Sequence, residues 1–501
     1  MSLIQVQNLT FAYPGSYDNI FENASFQLDT DWRLGFTGRN GRGKTTFLNL
    51  LMGRYEYGGA ISASVKFDYF PFDAEQPERA TLELLRGICP AAEEWEILRE
   101  TSLLELESEA LYRPFETLSH GERTKALLAA LFLREGNFLL IDEPTNHLDA
   151  HGRRAMARYL RQKSGFILVS HDRALLDGCV DHILAINKAS IVVQRGNFSS
   201  WWEQKQRQDA YEAAENEKLK KDIKRLEEAA RQSSQWADKV ESTKRGKGAA
   251  AIRKAGHACL DTMAYNAEKS RRMQQRRKNL EHRQQSAIDE KSALLQNIEQ
   301  GGSIKLVPQR FHSDLLLELK DVAVFYGDTV GCAPFSLQLR QGERVALTGK
   351  NGCGKSSILK LICGEDLTHT GTFWRPPQLI ISVVSQDTSQ LRGNLREYAE
   401  ACGVEESLFK ALLRQLDFSR IQFEKDMSAF SEGQKKKVLL ARSLCERAHL
   451  YVWDEPLNYV DVLSRMQIES LIGEYGPTML FVEHDEAFRE RAATRCVEMG
   501  V

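Results

Sequence analysis

Gly38-Arg39-Asn40-Gly41-Arg42-Gly43-Lys44-Thr45 and, 311 residues later, Gly349-Lys350-Asn351-Gly352-Cys353-Gly354-Lys355-Ser356 are two copies of one glycine-rich loop, GxxxxGK[ST]. Such a loop turns its backbone N–H groups inward at the start of a helix, whose positive end also favours anions. A lysine six residues after the first glycine neutralises phosphate charge, and the following hydroxyl suits a magnesium ion. The context is right in both copies. Each loop follows an apolar strand pattern, Trp32–Thr37 or Arg344–Thr348, and precedes an apolar helical run, Phe47–Leu51 or Ile358–Ile362. The candidate nucleotide contacts are Gly38, Asn40, Gly41, Gly43, Lys44, Thr45 and Thr46, then Gly349, Asn351, Gly352, Gly354, Lys355, Ser356 and Ser357.

Three further motifs recur in the same order at nearly the same offset: Ser119-His-Gly121-Glu122 with Ser431-Glu-Gly433-Gln434, Asp142-Glu143-Pro144 with Asp454-Glu455-Pro456, and His171-Asp172 with His484-Asp485. The chain is a tandem duplication. Its 501 residues, 42% hydrophobic, are too many for one core and too apolar for wholesale disorder. No apolar run reaches the roughly 20 residues a membrane helix needs, and the N-terminus has no signal-peptide pattern. Nine scattered cysteines form no CxxC pair and no zinc spacing, which fits reduced thiols in a cytoplasmic protein.

Between the copies the composition changes. All twelve prolines fall outside 145–307, and glycine occurs within 203–300 only at Gly246, Gly248 and Gly256. The pattern predicts helices over 203–243 and about 264–299, forming a long antiparallel hairpin across 203–302 with its apex at 244–263. The first phosphate-loop domain would then span 1–202 and the second 313–501. From 241 to 283 twelve basic residues face four acidic ones, in a chain of net charge −2. A basic end on a long projection points to a phosphate-rich target such as RNA, with Lys244, Arg245, Lys247, Arg253, Lys254, Arg271, Arg272, Arg276 and Arg277 as candidate contacts.

Asp142 and Asp454 close the apolar strands Phe138–Ile141 and Leu450–Trp453, at the edge where ligands of parallel sheets bind. They are candidate magnesium ligands together with Thr45 and Ser356. Glu143 and Glu455 follow directly and could orient or deprotonate a water. His171 and His484 also end apolar runs and are candidates to touch the terminal phosphate.

Phosphate loop, Leu118-Ser-His-Gly-Glu122, Phe430-Ser-Glu-Gly-Gln434, the Asp-Glu-Pro stretches and the histidines together resemble the ordered motif set of ABC ATPases. The resemblance implies an α/β fold with two tandem P-loop ATPase domains that face each other head to tail around two ATP molecules. One site would join Lys44, Asp142, Glu143 and His171 to Ser431 and Gly433; the other would join Lys355, Asp454, Glu455 and His484 to Ser119 and Gly121. It also implies roles for Gln386 at the metal, for Glu122 and Gln434 in the signature motifs, and for Tyr13 and Tyr326 against adenine. Departures are Phe72 where the first half lacks the glutamine, Glu122 in place of a signature glutamine, and Leu457-Asn-Tyr-Val460 opposite Thr145-Asn-His-Leu148. Two hydrolysis-competent sites of unequal rate are expected.

Both halves on one chain with a helical linker resemble the ABC-F class, which acts on ribosomes. That implies ATPase halves at the E site, a linker reaching toward P-site tRNA, 23S rRNA and the peptidyl-transferase centre of the 50S subunit, and a cytoplasmic monomer without a membrane partner. From phosphate-loop lysine to signature serine is 75 residues in the first half and 76 in the second, so the first half has no room for an added arm. The chain ends 17 residues after His484, and no C-terminal extension is expected. The short arm and the opening Asn8–Asn23 are similar to the antibiotic-resistance branch active against lincosamides, pleuromutilins and streptogramin A. The alternatives are a general translation factor of the same class and the ATPase pair of a transporter.

Overall fold

A computed structural model describes residues 2–14, 19–39, 41–134, 136–145, 148–186, 191–211, 214–218, 221, 224, 225, 228, 306–327, 329–350, 352–416, 418, 420–458 and 460–500. Met1–Trp201 and Gly301–Val501 form one compact unit, and Trp202–Gln300 a second.

Within the first unit one architecture occurs twice. In the first half the strands Lys66–Phe70, Asn137–Asp142, Phe166–Val169, Arg33–Thr37 and His182–Ile186 lie parallel in that spatial order, with Ile191–Arg195 antiparallel at the edge. The second half repeats the order with Ile381–Val384, Leu450–Asp454, Met479–Val482, Arg344–Thr348 and Arg495–Glu498, all parallel. Strands covered on both faces must be apolar throughout, and Phe166–Val169 and Met479–Val482 are buried at every position. A three-stranded antiparallel sheet accompanies each half: Phe21–Asp29, Leu3–Phe11 and Gly58–Ser62, then Thr329–Arg340, Leu315–Tyr326 and Thr368–Trp374. The α/β fold with two ATPase domains expected from the motifs is the one observed.

The core of the first half packs Phe36, Phe47, Phe138 and Leu140 between its sheets and the helix Lys44–Leu51. In the second half the same layer holds Val345, Ile358, Val452 and Leu480. A separate cluster there centres on Trp453, Phe481 and Phe488, with the Trp453 indole N–H donating to Ser443 Oγ at 2.9 Å. This packing fixes the C-terminal ends of the strands, and the phosphate loops, the Asp-Glu pairs and the two histidines sit at those ends or on the helices that follow.

The hairpin expected over 203–302, its apex and the nine basic candidates from Lys244 to Arg277 lie outside the described residues, apart from helical positions at 203–211, 214–218, 221, 224, 225 and 228. Among the described residues no helix is long and apolar enough to cross a membrane.

Candidate functional site

Each phosphate loop leaves the central strand of its sheet and enters a helix, Lys44–Leu51 or Lys355–Cys363. The turn needs glycine. Gly43 (φ 91°) and Gly354 (φ 96°) occupy left-handed backbone. An added Cβ there would stand 2.5 Å from Ile20 Cγ2 and 2.4 Å from the Gly331 carbonyl oxygen. Both lysines curl back over their own loops. Lys44 Nζ donates to the carbonyls of Gly38 (2.7 Å) and Arg39 (3.2 Å), and Lys355 Nζ to those of Gly349 and Lys350 (both 2.8 Å). These contacts hold the ammonium where an anion in the loop would meet it. Asn40 and Asn351 lie outside the described residues.

Thr45 Oγ1 donates to Asp142 Oδ2 at 2.9 Å, and Ser356 hydrogen-bonds Asp454 in the same way. Burial pushes both aspartate carboxyls above the usual carboxylate range, and the hydroxyl bonds pull against it. Asp454 Oδ1 is buried without a hydrogen-bond partner. Among the described residues no three His, Cys, Asp or Glu side chains could cage a metal by themselves. One carboxylate and one hydroxyl per site therefore fit a hard cation whose remaining ligands are phosphate and water oxygens.

The two glutamates share a strained backbone, with φ of 50° at Glu143 and 45° at Glu455. Their N–H groups bond Val169 O (2.9 Å) and Val482 O (3.0 Å), which points each carboxylate toward its histidine. His171 Nε2 lies 3.3 Å from Glu143 Oε1, and His484 Nε2 lies 3.5 Å from Glu455 Oε1. The electrostatics then diverge. Burial, with Asp142 beside it, pushes Glu143 up to about 8 against the pull of Arg465 and Lys44. Burial also holds the His171 ring well below its ordinary value, with Lys44 adding to the effect. At Glu455 burial again pushes upward, but His484, Asn458 and Lys436 outweigh it and leave the carboxyl below its ordinary value. Gln386 Nε2 (3.0 Å) and Asn458 Nδ2 (2.7 Å) both donate to Glu455 Oε2.

Ser119 and Ser431 cap the helices His120–Phe132 and Glu432–Cys445. Glu122 accepts from both the N–H and the hydroxyl of Ser119 (2.7 Å each), whereas Gln434 accepts only from the Ser431 N–H (3.0 Å). A cleft of about 1300 Å³ brings Ser119, Gly121 and Glu122 of the first half to Lys355, Ser356, Glu455 and His484 of the second. That is one of the two composite sites expected from sequence. At the other, the second-half charges facing Lys44 and His171 are Asp461 and Lys437, with Arg465 facing Glu143. Tyr13 OH pairs with Thr46 Oγ1 (2.8 Å), and Tyr326 OH donates to Ser357 Oγ (3.3 Å). Both rings stand partly exposed over their phosphate-loop helices.

Residues 21–146 and 332–458 each match the ABC transporter family. The chain belongs to that family. ATP hydrolysis is therefore its enzymatic activity, and both ABC halves carry the phosphate loop, the signature serine and glycine, the Asp-Glu pair and the histidine. The resemblance to ABC-F proteins extends through the chain. The ribosome protection protein VmlR of Bacillus subtilis is 27% identical over 96% of this chain and 84% of its own length. The energy-dependent translational throttle protein EttA of Haemophilus influenzae is 24% identical over 96% and 89%. Among solved structures, archaeal ribosome recycling factor aABCE1 in complex with stalk protein aP1 superposes with a TM-score of 0.64 at 19% identity, covering 98% of this chain and 87% of that one.

Sequence reasoning missed three contributors. Tyr69 OH donates to Asp142 Oδ2 at 3.0 Å. Lys436 Nζ reaches the carbonyls of Ser385 (2.8 Å), Glu455 (3.4 Å) and Asp454 (3.5 Å). Arg465 works across the halves. Aligning the two copies flags Lys436 at once, because Thr124 stands at its counterpart.

Proposed function

We propose that the chain is a cytoplasmic ribosome-binding ATPase of the protection kind. Its ATP-closed form occupies the ribosomal E site and directs the 203–302 linker toward P-site tRNA and the peptidyl-transferase centre, displacing antibiotics there. The observation that carries this reading is that VmlR matches 96% of the chain, so the likeness runs through both ABC halves and the segment between them. The excess of basic residues over 241–283 suits ribosomal RNA.

The site chemistry serves such a cycle. Lys355 neutralises phosphate charge while the N–H groups at Ser119–Gly121 donate to the same nucleotide from the opposite half, so that ATP joins the halves. Thr45 with Asp142, and Ser356 with Asp454, would hold Mg²⁺, which neutralises phosphate charge when bound. Glu455, kept ionised, accepts a proton from the attacking water, and His484 fixes its orientation. Glu143 and His171 repeat the geometry at the first site, where burial keeps the Glu143 carboxyl protonated up to about pH 8 and slows the same step. Hydrolysis removes the bridging phosphate and releases the closed state.

Glu143→Gln with Glu455→Gln is expected to trap the protein on ribosomes in ATP, read by co-sedimentation; free protein at the top of the gradient overturns the reading. The match to EttA favours a second reading, a translation factor without drug specificity. Expression in a susceptible strain separates them. A raised inhibitory concentration for a lincosamide or pleuromutilin supports protection, and an unchanged one supports the second reading.

A further inference from the structure

The two halves meet through helices that follow equivalent motifs, and at one pair of equivalent positions, Arg173 and Glu486, the charges are opposite. In the first half, Arg154 lies on the helix Ala150–Arg161 and Arg173 on Arg173–Cys179. In the second half, Glu469 lies on Val462–Tyr475 and Glu486 on Glu486–Ala492. Arg173 and Glu486 each stand two residues after the motif histidine. Arg173 makes a two-pronged bond to Glu469 with both side chains buried, Nη1 to Oε2 at 3.0 Å, and Asp485 lies 4.0 Å away. Arg154 Nε donates to Glu486 Oε1 at 2.9 Å on the exposed rim. Contacts inside each half keep their sign instead: Arg153–Asp172 (3.2 Å) is repeated as Arg465–Asp485 (3.0 Å). The inversion at Arg173 and Glu486 thus lies where the halves face each other, and their partners Glu469 and Arg154 stand where the other copy has Ala157 and Met466.

We propose that Arg154, Arg173, Glu469 and Glu486 form a charge key by which the first half accepts the second half of its own chain and rejects a second copy of itself. In a pair of first halves Arg173 would meet the surface of Arg154, Arg158 and Arg161, because Ala157 occupies the counterpart of Glu469. In a pair of second halves Glu486 would approach Glu469, which keeps Arg491 beside it at 3.4 Å, so rejection is stronger for first halves. Tandem domains of one family can exchange partners between chains, and like charges at a buried contact suppress that exchange. The key rests on the interface alone and holds whether or not the ribosomal reading does.

Full-length protein tests it. Arg173→Glu should lower ATP turnover at least about tenfold, since a buried carboxylate would face Glu469. In a Glu143→Gln, Glu455→Gln background it should also form dimers in ATP, read by analytical ultracentrifugation. The reciprocal swap Arg173→Glu with Glu469→Arg should recover most of the turnover and the monomer, which loss of local packing would not do. The rim pair covers the case in which the buried variant fails to fold: Glu486→Arg should lower turnover a few-fold, and adding Arg154→Glu should restore it. Single reversals that keep the parent's turnover and mass, or swaps no better than the singles, overturn the proposal.

Discussion

At the second nucleotide site Glu455 is surrounded by donors: Gln386, Asn458 and His484 point at its carboxylate, and Lys436 sits beneath the strand end that carries it. At the first site, among the described residues of its own half, Glu143 pairs with His171 (Asn146, the counterpart of Asn458, lies outside them), Phe72 stands in the glutamine's place, and Thr124 replaces the lysine. One site thus stabilises an ionised base, and the other buries a carboxyl that keeps its proton to about pH 8. The first site instead has Tyr69 bonded to its aspartate and the charges of Asp461 and Arg465 brought from across the interface. Duplication kept the Asp-Glu pair and the histidine while their surroundings diverged, and in the proposed cycle the second site would turn over and the first would hold.

The sharpest way to break this comparison is to remove each base in turn. Glu455→Gln is expected to lower steady-state ATP turnover by about 10²-fold or more, in the range expected for a lost general base. Glu143→Gln should lower it less than about tenfold at pH 7.5, because the side chain it replaces is mostly protonated there. Equal losses would show that the differing environments have no kinetic meaning. Single-turnover measurements with each variant would assign the residual rate to its site.

Exchanging the residue beneath the strand end sharpens the same point with a smaller effect. Lys436→Thr removes an ammonium that reaches three carbonyls and the field that favours ionised Glu455. Turnover should fall roughly tenfold, and the melting temperature should fall as well, since buried carbonyls lose a charged donor worth about 1.5–3 kcal/mol. Thr124→Lys should raise the activity that survives in a Glu455→Gln chain. No gain there would mean that Lys436 is only structural.

How much of this could be read from sequence depends on the kind of contact. Loop glycines, the Asp-Glu pairs and the strands before them are local patterns with a fixed mechanical meaning, and Arg344–Thr348 is legible residue for residue as a strand. The donor set of Glu455 was not. Gln386 reads from sequence only as a metal contact; that its amide N–H also donates to the glutamate depends on strand register, which decides which group it meets. Arg173 and Glu469 are 296 residues apart and sit on helices whose facing surfaces no periodicity specifies. The motifs identify the chemistry; long-range packing decides the protonation states and which half supplies each charge.

The smallest effect concerns stability without nucleotide or metal. In the folded chain Glu143 binds its proton up to about pH 8, whereas the ordinary glutamate value is 4.5. Between those values the folded state holds more protons than the unfolded one, so stability falls as pH rises through the window and the loss is complete above it. Glutamine carries no such penalty. Glu143→Gln should therefore leave the melting temperature of the metal-free protein nearly unchanged at pH 5 and raise it increasingly toward pH 8. For Glu455, whose folded value lies below the ordinary one, the sign reverses. Its ionised form is stabilised above about pH 4.5, so Glu455→Gln should lower the melting temperature across pH 5–8 with little slope. Parallel curves for the two variants would mean that the carboxyls share one environment, and the kinetic asymmetry would then need another origin.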